Sequence, residues 1–209
     1  MLKYGKPLVF VAALSPFLWL AFRALTGRLS VNPIEDITLT TGIWALRFLL
    51  ASLAITPIRR LTGWQRVIQY RRMLGLFAFF YGLLHFLTWL VLDQFFAWDF
   101  ILADIAKRPY ITVGFTGFVL MIPLAITSTA GWIRRLGGRW WNRLHRLVYA
   151  TAVAGVIHFL WLVKVVEAEQ IFYAGIVAAL LGLRVWWAIT KRTAAASVPS
   201  TRPARPSTT

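Results

Sequence analysis

Apolar residues along this chain do not recur at a helical or strand period. They come in long runs, broken by short charged stretches. A helix needs about 20 mostly apolar residues to cross a bilayer. Six runs approach that length, over residues 7–22, 38–55, 73–92, 110–127, 144–162 and 171–189. They are apolar nearly all round, which fits helices in lipid better than amphipathic surface helices. The pattern predicts an all-α fold, a polytopic membrane helical bundle of six transmembrane helices over residues 1–192. After it come residues 193–209, TAAASVPSTRPARPSTT, whose Pro, Ser, Thr and Ala content predicts a disordered tail. No internal repeat is evident, and no further domain is expected beyond the sixth span.

Composition agrees with a membrane protein. Of 209 residues, 14% are charged, where a soluble domain would have about a quarter. A basic start followed by an apolar run can also be a signal peptide. No small-x-small cleavage site follows this run, so it is read as a span. The net charge of +16 raises the question of nucleic acid, and its distribution answers it. Sixteen of the 23 basic residues fall in alternate connections: Lys3 and Lys6; Arg59, Arg60, Arg66, Arg71 and Arg72; Arg134, Arg135, Arg139, Arg143 and Arg146; Lys191, Arg192, Arg202 and Arg205. All seven acids, Glu35, Asp36, Asp93, Asp99, Asp104, Glu167 and Glu169, lie on the other side. Short basic loops stay in the cytoplasm, so both termini are expected there, with the basic excess meeting anionic membrane lipid. No compact basic domain remains for nucleic acid.

There is no cysteine, hence no disulfide, thiol or iron–sulfur chemistry. There are three histidines. His85 lies thirteen residues past Arg72, or roughly 20 Å along a helix that runs outward. His158 lies thirteen residues past His145, again roughly 20 Å outward. His85 and His158 are therefore expected at one depth in the outer half, with His145 alone near the inner face. Ionisable groups inside a membrane are costly and mark function. Two imidazoles at one level on different helices suit the axial ligation of a haem iron. The competing readings are a hydrogen bond to a neighbouring helix, or a proton path. Zinc would want about four ligands, and no intramembrane Cys, Asp or Glu is present to complete them.

His145 and His158 lie about 220° apart around a helix and do not share a face. His145 either ligates a second haem with an unusual partner or hydrogen-bonds a flavin or quinone. Arg71, Arg72 and Arg146 nearby suit a phosphate or propionate, and equally suit lipid headgroups. Arg47, near the middle of its span, either neutralises a haem propionate or reaches the interface. Arg184 sits close enough to a span end to snorkel. Most of the tryptophans crowd span ends, as interfacial belts do.

Several segments carry a resemblance: PFLWL at 16–20, TGIWALRFLLASLAITPIRRLTG at 41–63, YRRMLGLFAFFYGLLHFLTW at 70–89, DIAKRPYITVGFTGF at 104–118, LAITST at 124–129 and LGGRWWNRLHRLVYATAVAGVIHFLWLVK at 136–164. In order and spacing they resemble the MsrQ (YedZ) family, the haem-binding membrane subunit of the periplasmic protein-methionine-sulfoxide reductase system. That family lies in the ferric reductase-like transmembrane superfamily. The resemblance implies a membrane electron-transfer subunit of a bacterial inner membrane. Electrons would come from the quinone pool or a cytoplasmic flavin reductase. They would pass through haem b, with FMN also associated, to a periplasmic molybdopterin catalytic subunit of the MsrP type. His85, His145 and His158 match the family's histidines. One departure is Leu39, in DITLTTG, where relatives often carry a histidine. No GxGxxG motif is present, so a nicotinamide donor would bind elsewhere. Two other functions compete: a direct ferric or metal reductase, and a proton-coupled transporter. The latter is disfavoured by the lack of intramembrane carboxylates.

Overall fold

The computed structural model describes residues 5–196. The first helix, α1 (Gly5–Leu25), contains Pro16. Proline has no N–H, so the Ala12 carbonyl loses its helical donor. The Ser15 hydroxyl donates to that carbonyl instead, at 2.9 Å. One rung further on, the Tyr81 hydroxyl inserts from a neighbouring helix. It accepts from the Phe17 N–H at 3.0 Å and donates to the Ala13 carbonyl at 2.9 Å. Tyr81 is only 1% exposed. A proline defect in α1 thus becomes the point that ties α1 to the core.

Helix α2 (Pro33–Thr62) begins at Asn32, whose side chain accepts from the Glu35 N–H, with Pro33 in the first turn. The connection before it is closed by Arg23 and Asp36, whose side chains meet at 2.6 and 3.3 Å. Gly63 ends α2 with φ of 70°, the left-handed conformation that favours glycine. After a 3₁₀ turn come α3 (Ile68–Leu87) and a π-helical turn, Thr88–Asp93. The later elements are α4 (Trp98–Lys107), α5 (Pro109–Ile126), α6 (Ala130–Leu144), α7 (Leu147–Leu162) and α8 (Ala168–Ala196). No strand occurs among the described residues. The expected all-α polytopic bundle is borne out.

Counting spans needs one refinement. Five segments are each long and apolar enough to cross a membrane: α1, α2, α3 with its flanking turns, α5 and α8. The sixth is a bent pair, α6 with α7, at 42°. The fifth expected span, 144–162, is in fact a 16-residue helix from Leu147, and His145 sits in the break before it. Helices α4 and α6 fall where the sequence predicts loops. Helix α4 is amphipathic, with Asp99, Asp104 and Lys107 on one side and Trp98, Ile101 and Ile105 on the other, as in helices lying in a membrane interface, whereas α6 is kinked at Gly137, where φ is 71° and ψ 150°. Helix α8 continues to Ala196, past the expected domain boundary at 192, and 197–209 of the expected tail lie outside the described residues.

The core joins Leu46, Leu49 and Leu53 of α2, Phe77 and Tyr81 of α3, Ala152 and Val156 of α7, and Tyr173 and Val177 of α8. Leu8, Trp19, Phe172 and Ile189 point outward and stay exposed, as suits a surface facing lipid. Within this bundle α2 packs chiefly on α3, and α5 chiefly on α7. Small residues allow the second pairing. A Cβ at Gly117 would lie 3.3 Å from Cβ of Ala154, so the α5 and α7 backbones run close.

Candidate functional site

Each of the two helix pairs supplies one imidazole. His85 projects from α3 and is held by its partner α2, where Nδ1 lies 2.9 Å from the Thr38 carbonyl oxygen. His158 projects from α7 and is held by its partner α5, where Nδ1 lies 2.7 Å from the Tyr110 carbonyl oxygen. A carbonyl only accepts, so Nδ1 carries the proton in both rings. That fixes the tautomer. In the neutral ring Nε2 keeps its lone pair, and among the described residues it has no hydrogen-bond partner in either histidine.

The seat for each ring repeats as well. Gly42 lies one turn beyond Thr38, and Gly114 one turn beyond Tyr110. A Cβ at Gly42 would fall 2.9 Å from Nδ1 of His85. At Gly114 it would fall 2.6 Å from Nδ1 of His158. Any side chain there would occupy the space the imidazole fills. A carbonyl and a glycine four residues on, presented by the partner helix, thus form one cradle used twice.

The two rings meet across the seam between the pairs. Their centres lie 6.0 Å apart with planes at 77°. Two imidazoles on opposite sides of one metal put their ring centres roughly 6 Å apart, taking about 2 Å per metal–nitrogen bond and about 1 Å from nitrogen to ring centre. Histidine ligands characteristically donate their other ring N–H to a carbonyl or carboxylate. The donor set, spacing and tautomer therefore fit a bis-imidazole iron. Among the described residues no three His, Asp or Glu side chains gather to hold a bare metal ion.

His145 is not brought to this pair. It caps the end of α6, where its Nε2 lies 3.0 Å from Thr127 Oγ1. That hydroxyl already donates to the Pro123 carbonyl at 2.6 Å, so the imidazole is the donor and Thr127 accepts. Trp141 stacks on the ring at 3.9 Å between centres and gives its indole N–H to the Thr127 carbonyl at 3.0 Å. With Nε2 protonated, a neutral His145 keeps its lone pair on Nδ1.

The arginines separate too. Arg47 donates from Nε to the Tyr173 hydroxyl at 2.7 Å, lies 3.7 Å from a Glu169 oxygen, and covers the Trp44 ring at 4.9 Å. These partners account for a guanidinium in a span. Arg71 is partly buried, and no carboxylate pairs with it among the described residues. Arg72 is exposed. Arg184 donates to the Leu180 carbonyl at 2.6 Å and to the Leu53 carbonyl, with its guanidinium over Tyr149.

The glycines and carbonyls of the cradle escaped the sequence reading. In sequence they stand only as Thr38-x-x-x-Gly42 and Tyr110-x-x-x-Gly114, a glycine about one turn into a span, which reads first as a packing residue. The roles of Trp141, Thr127 and Tyr173 left no comparable trace.

The fold and site define a class: a helical membrane protein that brings two imidazoles from separate helix pairs together, their centres 6.0 Å apart. The family model described as ferric reductase like transmembrane component matches residues 41–156, a stretch that contains His85 and His145 and stops two residues short of His158. A protein of Herminiimonas arsenicoxydans, "Protein-methionine-sulfoxide reductase heme-binding subunit MsrQ", is 54% identical over 189 residues, covering 90% of this chain and 87% of that one. Proteins of the same name from Ralstonia nicotianae and Rhodospirillum rubrum are 55% and 52% identical, covering 86% and 91% of this chain and 83% and 91% of theirs. No solved structure matches the chain. The chain belongs to the MsrQ family, within the ferric reductase-like transmembrane group.

Proposed function

We propose that this chain is the membrane electron-transfer subunit of a protein-methionine-sulfoxide reductase system. In this reading it holds haem b between His85 and His158. It takes electrons from the quinone pool or a cytoplasmic flavin reductase and delivers them to a periplasmic molybdopterin catalytic subunit of the MsrP type. The location is the bacterial inner membrane. The observation that carries the reading is the pair of imidazole centres 6.0 Å apart, each with Nδ1 committed to a carbonyl of the partner helix. Bound haem supplies a one-electron iron couple.

The residues then divide the work. Thr38 and Tyr110 hold each Nδ1–H, so that Nε2 faces the metal position. Gly42 and Gly114 make room for the rings. Orientation follows from charge. The ends rich in Arg face the cytoplasm by the positive-inside rule, and the acids face the periplasm. The His85–His158 pair then lies toward the periplasmic leaflet, where a catalytic subunit would dock. His145, on the cytoplasmic side, offers Nδ1 to a second haem or to a flavin or quinone from the donor side. Arg71 and Arg72 supply the positive charge that an FMN phosphate or a haem propionate requires. Arg47 is engaged by Tyr173 and Glu169, which favours an anchoring role over contact with a propionate.

Purified protein from haem-replete cells is expected to show a low-spin, bis-imidazole Soret spectrum. His85→Ala or His158→Ala should abolish it, while His145→Ala should leave the component from the outer pair. Colourless wild-type protein would sink the proposal, as would an unchanged spectrum in both outer variants.

A further inference from the structure

The cradles do more than bring two nitrogens within reach of one iron. The N–H···O bond lies in the ring plane, so turning either imidazole about the axis through Nε2 swings Nδ1 away from its carbonyl. The glycine backbone closes in on the same ring. Where a Cβ would stand at Gly42 it would meet Nδ1 at 2.9 Å and Cε1 at 3.0 Å of His85. At Gly114 it would meet Nδ1 at 2.6 Å and both Cε1 and Cγ at 2.9 Å of His158. Each ring therefore has its rotation fixed by one carbonyl and one glycine of a helix it does not belong to. The two fixed planes cross at 77°.

We infer that Gly42 and Gly114, with the carbonyls of Thr38 and Tyr110, are positioning residues that hold the two axial imidazole planes crosswise on the iron. The inference rests on the haem reading above. Orienting partners beyond the ligands are known to tune a metal. Here the tuning has a specific electronic form. An imidazole donates π density perpendicular to its own plane and so raises one of the iron's two dπ orbitals. Parallel rings raise the same orbital and split the pair. Crossed rings raise one each and leave the pair nearly degenerate. A near-degenerate pair in low-spin ferric iron retains orbital angular momentum along the haem normal, and its magnetic response is strongly anisotropic. The separate helix pairs explain how the crossing survives. Each ring bonds to and abuts a cradle on its own partner helix, so each plane is set by its own pair of helices.

The test is frozen-solution EPR of the oxidised, haem-loaded full chain in detergent or nanodiscs, with haem per chain measured on the same sample. The expected ferric signal has one large-g feature with the remaining features broadened away. A rhombic, three-line low-spin signal from the His85–His158 haem would overturn the crossed-plane inference while leaving the haem reading intact. Haem-free protein would overturn both. Gly42→Ala is expected to move the signal toward the rhombic form or to lose the haem. The control is Gly82→Ala, where an added Cβ meets its nearest atom at 3.8 Å and should leave the spectrum unchanged. A Gly42→Ala protein with full haem and an unchanged anisotropic signal would remove the glycine from the device. If that variant does not fold, the wild-type spectrum alone still decides whether the planes are crossed.

Discussion

Replacing Gly114 by alanine should separate haem binding from folding. The added Cβ would lie 2.6 Å from Nδ1 of His158, whereas ordinary contact begins near 3.4 Å, so the ring must retreat by about 0.8 Å. Moving away from α5 by that amount takes the 2.7 Å bond to Tyr110 to about 3.5 Å, the limit of hydrogen bonding. Leaving the part-buried Nδ1–H of His158 without its acceptor costs about 1–3 kcal/mol. Loss of such a partner to a metal-ligating histidine typically lowers metal affinity by about 10–100-fold. The helix itself gains, because alanine is favoured over glycine in a helix interior by about 1 kcal/mol. The expected protein is thus as helical as wild type and at most about 2 kcal/mol less stable as apoprotein, yet binds haem at least about tenfold more weakly. The assay is haem titration followed by pyridine haemochrome, with circular dichroism melting beside it. A Gly114→Ala protein that takes up haem with wild-type stoichiometry and affinity refutes the cradle. One that loses helix and haem together shows that the glycine serves packing instead.

Two further expectations concern the scaffold. Tyr81→Phe deletes the hydroxyl that joins the Phe17 N–H and the Ala13 carbonyl, and should cost about 1–3 kcal/mol and loosen α1; an unchanged thermal midpoint, or unchanged hydrogen exchange in α1, would show that the rung simply closes on itself. Arg23→Gln removes a bidentate pair with Asp36 that is only partly buried, so the loss should stay near or below about 1 kcal/mol and shrink in high salt; a larger loss that salt does not change would mean the fork has a structural role beyond charge.

The histidines show how far a one-dimensional reading reaches. Depth follows from residue count along a helix of known rise, so thirteen residues past Arg72 and thirteen past His145 were enough to put His85 and His158 at one level. Rotation about the helix axis and the identity of the neighbour do not follow from such a count. That is why Thr38, Gly42, Tyr110 and Gly114 stayed hidden: a backbone carbonyl has no sequence signature, and a glycine in a span reads first as a packing residue. The same limit explains Arg47. Its partners Tyr173 and Glu169 lie well over a hundred residues away on α8, and only the docking of α8 on α2 brings them together. Helices α4 and α6 were missed for another reason. Their apolar faces are too short for a span and are interrupted by arginines or acids, so a reading tuned to continuous runs passes over them.

By itself the amino-acid order determined that this is a helical membrane protein, where its apolar segments lie, and which loops carry charge. Each of those follows from local cost: apolar length against bilayer thickness, and cations against anionic lipid. The tertiary structure decided which helices pair, which nitrogen of each imidazole is free, and at what angle the rings face each other. Those depend on contacts between residues distant in the chain, where one Cβ more or less on a neighbouring helix determines whether a ring can sit.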